Sequence, residues 1–331
     1  MLTHIKYYWQ LLQIISLKKI YNFIRLEIDF LLSKLFHRII YHSYPYSIAV
    51  EPTNHCQLQC PECPVGNKNS TRPKGNIDFE HFKSIIDTTK NTIFNLSLYF
   101  QGEPFLNKNI FEYIEYASQK KIFVNTSTNA QCIDELTAEK IVLSGLHYII
   151  VSMDGYSQES YSAYRQGGQF EKVINALQYI YTAKKKFKSI FPIVEVQCLL
   201  LSTTENHRKK IISLAKKHGA NRIQFKTAQF YNLTSPLMPQ NAKNSRYKLN
   251  SNGIYQHKSP HKGLCHRAWT SVVITYDNQI LPCCFDKNAS FSYGNFNENK
   301  WKNLSTNPKF IHFMQCLMRN KSTFSMCKNC L

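Results

Sequence analysis

The sequence lacks any long uninterrupted apolar run. Its first apolar stretches are broken by Lys6, Lys18, Lys19 and Arg25, and none reaches the roughly 18 apolar residues of a membrane-spanning helix. It also lacks a recognisable secretory leader. We therefore expect a cytoplasmic protein. Disulfides are rare in that compartment, so the 11 cysteines point to metal binding rather than to cross-links.

Acidic residues are scarce, because 21 Asp and Glu stand against 41 Lys and Arg, which gives a formal net charge of +20. Such an excess can indicate a nucleic-acid or anionic-membrane partner. However, the basic residues are scattered and no long Arg-rich tract occurs. We interpret most of them as solvated surface, and we expect no nucleic-acid partner.

Residues 1–45 read as a basic amphipathic helical segment that Pro45 terminates. Its apolar residues recur at helical spacing: Ile5, Tyr8, Leu12 and Ile15. Its basic residues could face water or anionic lipid: Lys18, Lys19, Arg25, Lys34 and Arg38. We expect the segment to pack against the body of the protein, with contact to a membrane surface as the alternative.

Short apolar strands alternate with helical stretches through the middle of the chain. The predicted strands are Ser47–Pro52, Phe94–Phe100, Ile122–Ser127, His147–Ser152, Ile193–Leu201 and Arg222–Lys226. The predicted helices are Phe79–Thr89, Ile110–Lys120, Asp134–Ser144, Glu171–Lys186 and Glu205–His218. This alternation predicts an α/β fold with a parallel sheet. Six strands are too few for a closed eight-stranded barrel, so we expect a partial (β/α)6 barrel.

Composition predicts four regions along the chain. Residues 1–45 form the N-terminal segment, and residues 46–228 form the barrel. Residues 229–264 are rich in Asn, Ser, Pro and Lys and read as a linker. Residues 265–331 carry six further cysteines and are expected to form a small C-terminal domain.

Three cysteines stand close together in "NHCQLQCPECPVG". Cys56, Cys60 and Cys63 have the spacing C-x3-C-x2-C. A structural zinc site normally uses four protein ligands, whereas three thiolates leave one metal position open for a substrate or cofactor. The motif follows the first predicted strand, so it should lie on the carboxyl-end face, where such folds keep their active sites. A zinc knuckle is the alternative at this point.

This motif in this context resembles that of the radical SAM superfamily. The resemblance implies that Cys56, Cys60 and Cys63 are catalytic ligands of a 4Fe–4S cluster, whose fourth iron binds S-adenosylmethionine (SAM). It also implies reductive cleavage of SAM to a 5′-deoxyadenosyl radical, which abstracts hydrogen from the substrate. One residue departs from the family pattern, because Glu62 stands where many members carry an aromatic residue.

Further elements resemble the SAM-contacting positions of that family. "QGEP" resembles a family "GGEP" element, and "YSAYRQGGQFEKV" resembles a segment that places an arginine near the methionyl carboxylate. The resemblance implies eight SAM-binding residues: Gly102, Glu103, Pro104, Ser127, Asn129, Ser152, Asp154 and Arg165. The carboxylate of Glu103 suits the methionyl ammonium, and a guanidinium fits a carboxylate bidentately. The alternative for Asn129 is an N-cap of the next helix.

The C-terminal cysteines resemble those of the SPASM/twitch extension of radical SAM enzymes. The resemblance covers the Asp277–Cys283 hairpin and the final C-x2-C. It implies an auxiliary 4Fe–4S cluster on four ligands: Cys265, Cys283, Cys327 and Cys330. Cys284 and Cys316 are alternative ligands, and a zinc ribbon is the alternative site. Cys132 and Cys198 read as core thiols in a helix and a strand.

The resemblance implies an oxidoreductase or maturase. Its substrate is expected to be a peptide or protein, or the alcohol of a sugar or aminocyclitol, and its electron donor a flavodoxin or ferredoxin. The alternative from another class is a non-enzymatic zinc protein that binds nucleic acid through its positive charge.

Overall fold

The computed structural model describes residues 12–258, 263–328 and 330. Its strands are β1 Ser47–Val50, β2 Asn95–Ser97, β3 Phe123–Thr128, β4 Tyr148–Ser152, β5 Ile193–Leu200, β6 Arg222–Thr227, β7 Tyr247–Leu249, β8 Tyr255–His257, β9 Ser271–Ile274 and β10 Ile280–Leu281. Its helices are α1 Leu17–Phe36, α2 Phe79–Thr89, α3 Ile110–Gln119, α4 Glu135–Leu143, α5 Gln158–Ser162, α6 Phe170–Lys186, α7 Arg208–Lys217, α8 His266–Thr270, α9 Glu298–Lys302, α10 Pro308–Arg319 and α11 Ser325–Lys328.

The six predicted strands form one parallel sheet in chain order, β1 to β6. Helices connect them, and Asp78 and Asp134 cap the starts of α2 and α4 by accepting backbone N–H bonds. This architecture confirms the partial parallel barrel. All carboxyl ends of the strands therefore meet on one face, where loops can carry a site.

The core lies between the outer helices and the helix-facing side of the sheet. Ile48 and Val50 of β1 and Cys198 of β5 are fully buried there. Alternate positions along β5 point the other way, into the barrel, as Gln197 and Leu199 do where they line its cavity. The interpretation of Cys198 as a core thiol is confirmed.

The C-terminal region extends the same sheet. Strand β9 pairs with β1 in parallel, with Val272 opposite Ile48, and β10 pairs back on β9. The turn between them is made by Asn278 at φ 69°, a left-handed conformation that Asn tolerates. The core runs continuously from the barrel into α10. Main-chain hydrogen bonds between β1 and β9 thus join the tail to the barrel. The tail is more closely attached than we expected of a separate small domain.

Residues 229–264 are irregular in part, yet they are built into the structure. Strands β7 and β8 form an antiparallel hairpin. Phe230, Leu237 and Tyr247 are buried against Leu58 and Tyr164, beside the three-cysteine motif. The segment read as a linker therefore forms a wall of the cysteine-bearing loop. The division of the chain at residues 45, 228 and 264 remains a prediction.

Helix α1 packs across the amino ends of the strands. It ends at Phe36, nine residues before Pro45, where His37 takes a left-handed φ of 50°. Lys19 was expected to face water or lipid, but it is buried and its Nζ donates to Lys121 O at 2.5 Å. The expectation is wrong because the Lys121 carbonyl, just before β3, accepts a hydrogen bond from Lys19 where α1 packs on the barrel. Ile5 and Tyr8 lie outside the described residues.

The other two predicted apolar positions of this segment do not face the protein. Leu12 and Ile15 are 62% and 45% exposed. Among the helices of the described residues, none is long and apolar enough to cross a membrane.

Candidate active site at the carboxyl ends of the strands

The three motif cysteines lie together on the loop of residues 51–78, which joins β1 to α2 and is called the cluster loop below. Cys60 is buried, and Cys56 and Cys63 are half-buried beside Leu58 and Tyr164. Gly66, further along the same loop, packs directly against Cys60, since an added Cβ would lie 2.6 Å from Cys60 N. The close packing holds the three thiols toward one cavity.

Burial changes the acidity of these thiols. It raises the pKa of Cys56 to about 11, and the nearby charges of Glu103, Cys60 and Cys63 act in the same direction. Burial also raises the pKa of Cys60, against the opposing influence of Arg165. The protein without metal therefore holds Cys56 and Cys60 as thiols, and binding a metal centre must release their protons.

Glu103 lies buried beside the cluster loop, where its backbone N–H donates to His55 O at 2.7 Å. Its Oε2 accepts from Asn129 N at 2.7 Å, and its Oε1 accepts from the Thr128 hydroxyl at 2.8 Å. Burial raises the pKa of the carboxyl to about 6, although these hydrogen bonds oppose the rise. The turn at Gly102 lies directly against Thr53 of the cluster loop. Only glycine fits there, because at φ 74° an added Cβ would lie 2.6 Å from Thr53 O. Pro104 begins the short 3-10 turn that follows.

Arg165 closes the opposite side of the site. Its Nε donates to Asp154 Oδ2 at 2.6 Å, and its Nη1 lies 4.0 Å from Cys60 Sγ. The other Asp154 oxygen accepts from Leu199 N at 2.6 Å, which fixes the pair to β5. The charge of Asp154 helps to keep the pKa of Arg165 raised although burial acts to lower it. A fixed guanidinium thus stands beside the cysteines.

Asn129 points at the cluster loop. Its Nδ2 lies 3.7 Å from Cys56 Sγ and donates to Gln57 Oε1 at 3.4 Å. The alternative role as an N-cap is wrong, because Asp134 caps α4. Ser127 and Ser152 also line the cavity.

Cys132 is a correction to the sequence interpretation. It lies in a turn before α4 rather than inside a helix, and it is half-buried rather than a core thiol. Its sulfur lies 3.3 Å from Gln57 Nε2, at the edge of the site. The chain turns here after β3, before Asp134 caps α4.

These groups surround a cavity of about 420 Å³, within the usual size range of cofactor and ligand sites. Seven of the eight proposed SAM-binding residues line this cavity. The eighth, Pro104, directly follows Glu103 in the chain. Sequence reasoning missed several lining residues: Tyr99, Gln197, Lys226, Tyr231, Arg246 and Lys287. Strand alternation could have indicated Gln197, whereas Tyr231, Arg246 and Lys287 lie in loops that carry no periodic signal.

Glu62, the residue that departs from the family pattern, has a structural partner. Its Oε2 accepts from Tyr231 N at 2.8 Å. Glu62 is buried, and this bond ties the cluster loop to the segment read as a linker.

The tail gathers a second group of thiols. The charges of Cys265 and Cys330 add to the effect of burial in raising the pKa of Cys327 to about 11. Cys265 likewise raises the pKa of Cys283, after the larger effects of Cys284 and burial. The pKa of Cys284 is lowered by the hydrogen bond from Cys283 and by Lys287 and Arg267.

Cys316, the other alternative ligand, is on α10, where its sulfur contacts His312 Nε2 of the same helix at 3.6 Å. Cys284 hydrogen-bonds with Cys283, so it is the alternative ligand with a direct contact to a proposed one.

The donor types in both places fit iron–sulfur clusters, which are held by thiolates. Across residues 12–258, 263–328 and 330, no three His, Cys, Asp or Glu side chains are close enough to hold a single metal ion. A 4Fe–4S cluster is larger than one ion and separates its thiolates more widely. The fit of both places to such clusters therefore rests on their thiolate donors.

The Radical SAM superfamily profile matches residues 50–224, more than half of the chain. The chain belongs to the radical SAM superfamily. The profile of an iron–sulfur cluster-binding domain, SPASM, matches residues 265–331. The predicted fold, enzyme class and cofactor types are confirmed: this is a radical SAM enzyme that uses SAM and iron–sulfur clusters, including the auxiliary kind. The non-enzymatic zinc protein is therefore rejected.

Curated relatives match about half of the chain. An AdoMet-dependent heme synthase of Methanosarcina barkeri is 26% identical over 182 residues, which are 53% of this chain and 48% of the relative. The mycofactocin maturase of Mycobacterium tuberculosis is 25% identical over 177 residues, 53% of this chain and 43% of the relative. The chain thus spans about half the length of the curated relatives it matches.

Among solved structures, Streptococcus suis SuiB bound to precursor peptide SuiA superposes with a TM-score of 0.62. It is 14% identical, with 92% of this chain and 74% of that chain covered. This likeness shows that the two chains share a fold.

Proposed function

We propose that this enzyme binds its SAM-cleaving 4Fe–4S cluster through Cys56, Cys60 and Cys63, and oxidises or matures a peptide or protein. Oxidation of a sugar or aminocyclitol alcohol is the second candidate. The observation that carries the proposal is the cavity itself. Three thiols of one loop line it together with Glu103 and Arg165. When bound, the cluster and SAM supply the radical chemistry, beginning with reductive cleavage of the sulfonium.

Two charged residues are suited to orient the methionyl end of SAM. The carboxylate of Glu103 is held in place by Asn129 and Thr128, so it can accept from an ammonium without reorganising. Arg165 is held by Asp154 through its Nε, which leaves its terminal nitrogens directed toward the cluster loop and able to bind a carboxylate. Charge-assisted pairs of this type are the stronger hydrogen bonds in proteins.

The auxiliary cluster is proposed to use Cys265, Cys283, Cys327 and Cys330. Four thiolates close the coordination of a 4Fe–4S cluster, so its role is electron transfer or support rather than substrate binding. Held by these four cysteines, the cluster would supply a one-electron acceptor for an oxidation that begins with loss of a hydrogen atom.

Three basic residues line the cavity: Lys226, Arg246 and Lys287. They favour a substrate with a carboxylate or phosphate. The acids of the same cavity are already engaged: Glu62 by Tyr231 N, Glu103 by Asn129 N and Asp154 by Arg165. An acidic peptide or a phosphorylated alcohol would complement the remaining positive charge.

Several further parts of the proposal rest on the chemistry of the reaction. The enzyme needs one-electron reduction, which a flavodoxin or ferredoxin would supply in a reducing cytoplasm. The relatives and SuiB support the peptide class, because one relative is a maturase and SuiB binds a precursor peptide.

A substrate comparison tests this function. Anaerobic enzyme with SAM and dithionite is offered matched peptides with and without acidic residues, and an aminocyclitol with and without phosphate. We expect the acidic peptide to increase formation of 5′-deoxyadenosine and to appear as an oxidised product. Lys226→Ala with Lys287→Ala should raise the KM for that peptide, whereas Lys248→Ala, an exposed lysine of β7, should not. Equal turnover of the neutral peptide would contradict the charge argument, and turnover of the aminocyclitol alone would favour the second candidate.

A further inference from the structure

We propose that the amino-end face of the barrel docks on an anionic lipid bilayer through helix α1, with the active site directed away from the membrane. The inference concerns a surface remote from the cavity, and it stands independently of the proposed substrate.

Helix α1 buries a mixed side against the barrel and leaves most of its apolar residues exposed. Four polar residues are buried there together with Leu26 and Phe30: Lys19, Asn22, Asp29 and Ser33. Apolar residues face outward, and we call these seven the outward stripe: Leu17, Ile20, Tyr21, Ile24, Ile28, Leu31 and Leu35. Leu17, Leu31 and Leu35 are 85%, 63% and 70% exposed. An ordinary surface helix buries its apolar face, so this arrangement leaves a continuous apolar row for another contact.

The contacts of the polar face fix this orientation. Asn22 Nδ2 donates to Tyr44 O at 2.9 Å and to Thr92 O at 3.2 Å. Asp29 Oδ2 accepts from His42 N at 2.6 Å. Turning the helix to bury its outward stripe would break these bonds and leave buried polar groups unpaired. The stripe is therefore a stable feature of the fold.

The same contacts establish which end of the barrel carries the stripe. Tyr44 precedes β1, Thr92 precedes β2 and Lys121 precedes β3, and each accepts a hydrogen bond from α1. The Trp269 indole, which precedes β9, donates to Leu26 O at 3.1 Å. Helix α1 thus covers the amino ends of the strands. The cluster loop and the cavity lie at the opposite, carboxyl ends.

Exposed lysines surround the helix at this end. Barrel helices run back toward the amino ends of the strands, so their C-termini lie on this face. The exposed lysines at or just after these ends are Lys121, Lys185, Lys186, Lys188, Lys216 and Lys217. Lys18 and Arg25 flank one side of the outward stripe and Lys34 the other, as the helical repeat places them.

This combination of features selects an anionic bilayer as the partner. An apolar row flanked by basic residues is the pattern of helices that lie in a membrane interface. Lysines near the surface add attraction to anionic headgroups. A second copy of the chain would bring another net charge of +20 and the same basic flanks to the contact, so charge opposes self-association.

Vesicle sedimentation of the full chain tests the proposal. We expect binding to vesicles of phosphatidylcholine with phosphatidylglycerol, and at least about tenfold weaker binding to phosphatidylcholine alone or in high salt, because basic residues supply part of the attraction. Ile24→Glu with Ile28→Glu should reduce the binding by a similar factor. The matched control is Leu136→Glu with Leu249→Glu, which are 62% and 56% exposed away from α1 and should bind like the wild type.

A second pair of variants tests the charge contribution. Lys185→Glu with Lys188→Glu should weaken binding, whereas Lys248→Glu with Lys309→Glu, the same change on other exposed positions, should not. Equal binding of all variants, or binding that ignores lipid charge, would overturn the proposal. So would a wild-type dimer in gel filtration that Ile24→Glu with Ile28→Glu converts to monomer, with no vesicle binding, because the stripe would then be a subunit interface.

Discussion

Arg72 and Glu51 form a buried, two-pronged ion pair at the base of the cluster loop. Arg72 Nη1 and Nη2 donate to Glu51 Oε1 and Oε2 at 3.0 and 2.6 Å. Nη2 also donates to Asp277 at 3.0 Å, in the turn between β9 and β10. The pair therefore links the end of β1, the loop that bears the three cysteines, and the tail. We infer that it holds the two groups of thiols in a fixed relation.

Removing one partner of this pair should be strongly destabilising. We expect Arg72→Ala to lower the free energy of unfolding by about 3–5 kcal/mol, because the charge of Glu51 stays buried without its partner. Glu51→Gln should cost less, because Asp277 still pairs with Arg72. Denaturant unfolding of the anaerobic protein measures the change. The control is Lys90→Ala, which removes a half-exposed pair with Asp87 and should cost under about 1 kcal/mol. Similar small losses at both places would contradict the structural role of Arg72.

Glu103 and Arg165 should each contribute to SAM affinity. A charge-assisted contact in a desolvated site contributes about 1.5–3 kcal/mol, so Glu103→Gln and Arg165→Ala should weaken SAM binding about ten- to a hundredfold. Equilibrium binding to the reconstituted enzyme measures this effect. Glu112→Gln changes an exposed carboxyl on α3 and is the control. The assignment fails if both site variants bind SAM like the wild type.

SAM affinity should also depend on pH through Glu103. The pKa of this carboxyl is raised to about 6 by burial, so it is largely ionised at pH 7 and becomes protonated below pH 6. Protonation removes the negative partner of the ammonium. Affinity should therefore fall as the pH falls through about 6, and the dependence should flatten in Glu103→Gln. A wild-type profile that matches the variant would exclude this carboxyl as the titrating group.

The auxiliary site should account for half of the iron. We expect about eight irons per chain in the wild type and about four after Cys56, Cys60 and Cys63 are all replaced by Ala, counting one 4Fe–4S cluster per site. Iron and sulfide analysis measures both. A triple variant with one zinc and no sulfide would show that the tail is a zinc ribbon.

The choice between adjacent thiols can be tested in the same background. We expect Cys283→Ala to lose the remaining cluster, whereas Cys284→Ala and Cys316→Ala keep it. The lowered pKa of Cys284 beside Arg267 and Lys287 makes it the competing ligand. If Cys284→Ala loses the iron and Cys283→Ala keeps it, the ligand is Cys284 and not Cys283.

The parts of the site that sequence could predict are local ones. The spacing of Cys56, Cys60 and Cys63 lies within eight residues, and the strand–helix alternation places that motif after β1. The ion pair of Arg72 with Glu51 and Asp277 could not be predicted, because it joins residues 21 and 205 positions apart. The support of Glu103 by Thr128 and Asn129 likewise depends on the register of two neighbouring loops.

The orientation of α1 shows why an amphipathic pattern can mislead. The pattern predicts that the apolar side packs on the protein. The amino ends of the strands present carbonyl groups, such as Thr92 O and Lys121 O, that need donors, and Asn22 and Lys19 supply them. A side that combines these polar residues with Leu26 and Phe30 therefore makes the contact, which amphipathicity alone cannot reveal.

The most direct test of the central claim is SAM cleavage by the triple variant. Anaerobic, reconstituted wild type with SAM and dithionite should form 5′-deoxyadenosine. The variant with Cys56, Cys60 and Cys63 all replaced by Ala should form none, although it keeps the tail cluster. Cys316→Ala, which removes a thiol that contacts His312 on α10, should cleave SAM like the wild type. Continued cleavage by the triple variant would contradict the assignment of these three thiols as ligands of the catalytic cluster.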